Sequence, residues 1–108
     1  MRIIMDRDAV CAGDDMNHHR EEFVVPDDIT IAGLFEFLEF KYIPVIARNN
    51  VVWALYYHER ELGAYFTKIQ SFINGNISLS SIINSSEKDH EFYLHYYSHP
   101  DRYRKRFI

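Results

Sequence analysis

The chain has 108 residues, 47% apolar and 16% aromatic, with a formal net charge of −4. That length suits one domain over residues 1–108, and the apolar content excludes a disordered chain. A single cysteine, Cys11, excludes an intrachain disulfide framework. No run approaches the ~18 apolar residues that cross a bilayer, and no apolar leader opens the chain, so a cytoplasmic protein without membrane contact is expected.

In chain order, residues 2–5 (RIIM) predict a short strand. Residues 6–20 (DRDAVCAGDDMNHHR) are polar and aperiodic and read as a long loop. Residues 21–25 alternate, with Phe23 and Val25 on one face, and predict a second strand ended by Pro26. Asp28 or Thr30 can cap a helix over about 30–41, where Ile31, Leu34, Phe35 and Leu38 fall at i, i+3, i+4 and i+7. Pro44 stops it.

Residues 43–48 form an apolar run read as a strand, with Asn49-Asn50 supplying the left-handed positions of a hairpin turn. Residues 51–57 (VVWALYY) predict a central strand covered on both faces. After a turn at 58–60, residues 61–66 continue the meander with Leu62, Ala64 and Phe66 on one face. Ile69, Phe72 and Ile73 then show helical spacing, with Gly75 as a stop, and Leu79, Ile82 and Ile83 repeat that short pattern. Residues 90–97 alternate as a last strand: Phe92, Leu94 and Tyr96 face one side, Tyr93, His95 and Tyr97 the other. Pro100 ends it before a basic tail. Strands and helices do not alternate regularly, so an α+β fold is expected, with a mainly antiparallel sheet, one principal helix and two short helical turns. An opening hairpin followed by a helix that crosses one sheet face makes the arrangement β-grasp-like.

Charge is unevenly spread. Residues 6–28 carry eight acids against Arg7 and Arg20, a balance of −6, whereas residues 101–108 carry four cations against Asp101. The acidic third repels nucleic acid and attracts basic surfaces. The basic tail reads as a solvated terminus, a phosphate-binding segment or an internal partner for the acidic stretch.

Three chemistries compete for Asp6, Asp8, Asp14, Asp15, His18 and His19. A cation site needs converging ligands, but the spacing fits neither an EF-hand loop nor a zinc pattern, and no metal or cofactor is expected. An acidic recognition surface can imitate a phosphate backbone and pair with basic residues of a partner. The third reading is a solvated loop whose Asp residues form turns. Cys11 lies among acids, which makes its thiol a poor nucleophile. His95 and His99 near Tyr93 and Tyr97 leave acid–base chemistry open, but no catalytic constellation is legible. Most aromatics belong in the core; Tyr56, Tyr93 and Tyr97 are candidates for an exposed interface.

The segment Asp6-Arg7-Asp8-Ala9-Val10-Cys11-Ala12-Gly13-Asp14-Asp15, followed by His18-His19 and the helix start Val25-Pro26-Asp27-Asp28-Ile29-Thr30, resembles a pattern in small bacterial proteins of unassigned function. In size and charge the whole chain resembles the immunity proteins of contact-dependent growth inhibition and other polymorphic toxin systems. That resemblance implies a cytoplasmic, non-enzymatic protein that binds and neutralises one cognate toxin domain. Asp6, Asp8, Asp14, Asp15, Glu21 and Glu22 would meet basic residues of a nuclease-type toxin, and Tyr56, Tyr93 and Tyr97 would supply anchors. A small metal-dependent or His-based enzyme, and an accessory module that binds a protein or oligomerises through its aromatic sheet, are the alternatives.

Overall fold

In the computed structural model, which describes residues 1–10, 19–44 and 49–107, the first apolar run forms β1 (Arg2–Arg7). It pairs antiparallel with β2 (Glu21–Val24), with Ile4 opposite Glu22. Thr30 caps α1 (Ile31–Lys41). Its hydroxyl accepts a hydrogen bond from the Gly33 N–H at 3.1 Å and so satisfies an amide that a helix start leaves without a partner. Ile31, Leu34, Phe35 and Leu38 are all buried, as their one-stripe spacing requires.

The chain continues through β3 (Val52–Tyr57), β4 (Arg60–Phe66) and β5 (Ser71–Ile73). A 3-10 turn over Leu79–Ser81 follows, then β6 (His90–Tyr97), α2 (Pro100–Arg104) and a further 3-10 turn, Lys105–Phe107. The strands form one sheet in the order β2-β1-β6-β3-β4-β5. The pair β1–β6 is parallel and the other pairings are antiparallel. This is the α+β, largely antiparallel arrangement expected, and the last strand inserted beside the first completes a β-grasp-like order with β5 added at one edge.

The main core lies between α1 and one sheet face. Ile31, Leu34, Phe35 and Leu38 meet Ile3, Met5, Trp53, Leu55, Phe92 and Leu94 there. A smaller cluster on the opposite face joins Val52, Ala54, Ala64 and Phe66 to Tyr103 of α2. β3, between β6 and β4, is therefore covered on both faces, as its apolar run implied.

Four sequence expectations are corrected. Residues 71–73 are a strand rather than a helical turn. Gln70 adopts φ 50°, which a helix does not allow, and turns the chain back so that Phe72 stacks on Tyr65 at 4.9 Å. Gly75 is not a helix stop. Its carbonyl accepts from the Ala32 N–H at 2.9 Å, and an added Cβ would lie 2.8 Å from Phe72 and 3.2 Å from Ala32. Ile43 and Pro44 are outside any strand, and 45–48 lie outside the described residues; Asn50 does take a left-handed φ of 49°. Pro100 does not simply end β6. It opens α2, where its missing N–H costs nothing.

Leu62 also leaves the face expected for it. A bulge shifts the β3–β4 register between Leu55 and Tyr56, so Leu55 opposes Gly63 while Tyr56 opposes Glu61. Leu62 joins the main core, whereas Ala64 and Phe66 pack on the other face.

Candidate functional site

On the sheet face opposite α1, α2 packs Tyr103 among Val52, Ala54, Ala64 and Phe66 of β3 and β4 and edge-on to the Tyr97 ring of β6. Alternation along β1, β6 and β3 puts Asp6, Tyr93, His95, Tyr97 and Tyr56 on this same face, with Tyr97 and Tyr56 beside α2 and Asp6, Tyr93 and His95 toward β1. The three tyrosines proposed from sequence as interface residues thus come together, on adjacent strands, all partly buried.

Asp8, just past β1, organises one end of this surface. Its Oδ1 accepts from the Tyr93 hydroxyl at 2.7 Å and its Oδ2 from the Tyr96 backbone N–H at 2.8 Å. His95 Nδ1 lies 3.4 Å from Oδ2. The His95 ring stands edge-on to Tyr56 with centroids 4.6 Å apart and leans on Tyr93 at 4.7 Å. Burial, reinforced by the bond to Asp8, raises the Tyr93 phenol above its ordinary range. Tyr93 therefore stays a neutral hydroxyl that donates to Asp8.

The other end is built on Glu61 and Arg106. By placing Glu61 opposite Tyr56, the bulge brings a carboxylate onto this face. Arg106 lies 2.9 Å from Glu61 and donates to the hydroxyls of Tyr56 at 3.2 Å and Tyr97 at 3.0 Å. Its guanidinium lies over the Tyr103 ring at 4.1 Å and the Tyr97 ring at 4.9 Å. Burial, with Glu61 adding repulsion, pushes the Tyr103 phenol up to about 12. The tail's charge is thus spent partly on Glu61 of β4, a partner outside the acidic N-terminal stretch.

The predicted acids do not form one bare cluster. The Asp6 carboxylate accepts from the Arg7 N–H at 2.8 Å. Glu22 pairs with Arg2, and Glu91 of β6 pairs with Arg20 across β1. Glu21 is exposed on the outer strand. Cys11, Asp14, Asp15 and His18 lie outside the described residues. His19 Nδ1 is 3.2 Å from the Arg7 carbonyl oxygen, and among the described residues no three His, Cys, Asp or Glu side chains form a metal-holding group.

Glu61, Arg106 and Tyr103 are the residues that sequence reasoning missed. Arg106 was visible only as part of a basic tail, and Glu61 reaches the face only through the bulge. No family model, no curated protein and no solved structure matches the chain.

Proposed function

We propose that this chain is an immunity protein, active in the cytoplasm, that binds a cognate nuclease-type toxin domain through the sheet face carrying Tyr56, Tyr93, His95 and Tyr97. The observation behind this reading is the convergence of these partly buried aromatics on the half-open face, with Asp6, Asp8 and Glu61 at its margins. Aromatic rings held by neighbours lose little conformational entropy when a partner covers them, so they suit the centre of an interface. The acids, with Asp14 and Asp15 of the neighbouring segment, contribute attraction to a basic partner and so raise the association rate. Reversal of Asp14 and Asp15 to Lys is expected to slow association with the toxin domain about tenfold or more at low salt, leaving dissociation nearly unchanged. An association rate unaltered in stopped-flow measurements would remove the acidic contribution.

A second reading rests on one geometry. Asp8 beside His95 Nδ1 leaves the opposite ring nitrogen directed away from the carboxylate, the layout of a general base. Turnover of any substrate lost on His95→Ala, with the fold retained, would favour this enzyme over the binding module.

A further inference from the structure

We propose that the cleft between the end of β6 and the C-terminal helical segment binds the phosphate group of a small phosphorylated molecule. The cleft has a volume of about 660 Å³ and is lined by Tyr96, Tyr97, Ser98, Arg102 and Lys105. That volume falls within the range of sites that hold organic ligands.

The tail's cations are unequally paired. Four cations stand between residues 101 and 108. Arg104 lies 3.8 Å from Asp101, and Arg106 is bound to Glu61. The other two, Arg102 and Lys105, have no carboxylate partner among the described residues. Both line the same cleft, because three-residue spacing puts them on one side of the helical segment. Each is exposed, so neither pays for burial by finding an internal partner.

The donor set selects the ligand. A guanidinium offers a planar fork of N–H groups, and an ammonium offers a compact charge with rotatable donors. Ser98 adds a hydroxyl. Together they suit an oxyanion with several acceptor oxygens and more than one charge, which describes a phosphate better than a single carboxylate. The chain's net charge of −4 repels a long polyanion and favours a small ligand over nucleic acid.

The test is an NMR titration of the full chain in low-salt buffer with inorganic phosphate and, separately, adenosine monophosphate. Saturable shifts centred on the amides of Ser98, Arg102 and Lys105 are expected, with adenosine monophosphate the tighter probe because its organic part occupies the cleft. A saturable response to either probe supports the site, and the tighter one tells the free ion from a phosphorylated molecule. The double variant R102A/K105A should lose about tenfold or more in affinity while its other amides keep their positions. The absence of saturable shifts at these amides, or equal binding by the double variant, would overturn the proposal. A short single-stranded RNA that binds more tightly than adenosine monophosphate, with steep salt dependence, would also overturn it by assigning the cleft to a polyanion.

Discussion

Arg106 ties the chain's C-terminal segment to the sheet through its carboxylate, hydroxyl and ring contacts. Its side chain and that of Glu61 are 26% and 25% exposed, so solvent screens the pair only partly. Arg106→Ala should therefore lower stability by about 1–2 kcal/mol, a charge-assisted bond discounted for screening. Urea denaturation would show a lower midpoint with an unchanged slope. Arg106→Lys should recover less than half of that loss, because an ammonium cannot reproduce the planar fork that reaches two hydroxyls and a carboxylate together. The charge of this residue was legible in the sequence. Its partners were not, because a one-residue bulge decides which side of β4 Glu61 occupies, and Gly63 is the one residue in the run Arg60-Glu61-Leu62-Gly63 that hints at it.

Among the elements, those that carry their own period were readable from sequence. The stripe of α1 and the alternation of β6 each specify a buried face before any tertiary contact is made, and the continuous apolar run of β3 specifies burial on both. β5 is the opposite case. Ile69, Phe72 and Ile73 have helical spacing, yet a left-handed Gln70 and the stacking of Phe72 on Tyr65 make a strand; three apolar residues are too few for spacing to prevail over packing. Gly63 permits this edge to dock. A Cβ there would come within 2.4 Å of the Ile73 carbonyl oxygen and 3.3 Å of Ile31. Because the closest atom is backbone, Gly63→Ala should cost about 1–3 kcal/mol and loosen β5 first. Hydrogen exchange should show the amides of the β4–β5 ladder losing protection before those of β3 and β6. Uniform loss across the sheet would show instead that the edge and the centre open as one unit.

For the whole molecule, the sheet divides labour between its faces: α1 closes one, and α2 closes half of the other. Tyr103, buried at the second closure, keeps its proton to about pH 12 in the folded chain, against a reference value of 10.0 for a free phenol. Tyr56 and Tyr93 on the same face are shifted in the same direction, burial being the main cause. The sign follows from linkage. Below pH ~10 both states hold these protons and the stabilisation is complete. Above it the unfolded chain releases protons that the folded chain retains, so stability falls as pH rises through the folded values. Denaturant midpoints should therefore drop steadily from about pH 10 upward, together with late phenolate absorbance. A flat profile through that range would show that these hydroxyls ionise without regard to folding.

The same half-closed face carries the functional claim. Affinity capture from the protein's own cells, with the unmodified chain and with a Tyr97→Ala/His95→Ala variant side by side, tests it most directly. The account predicts that the unmodified chain retains the toxin domain of a large secreted protein in about one-to-one ratio, as a specific interface requires, and that the variant loses it while remaining folded. Equal recovery of that domain by the variant, or recovery of no toxin domain by either form, would contradict it.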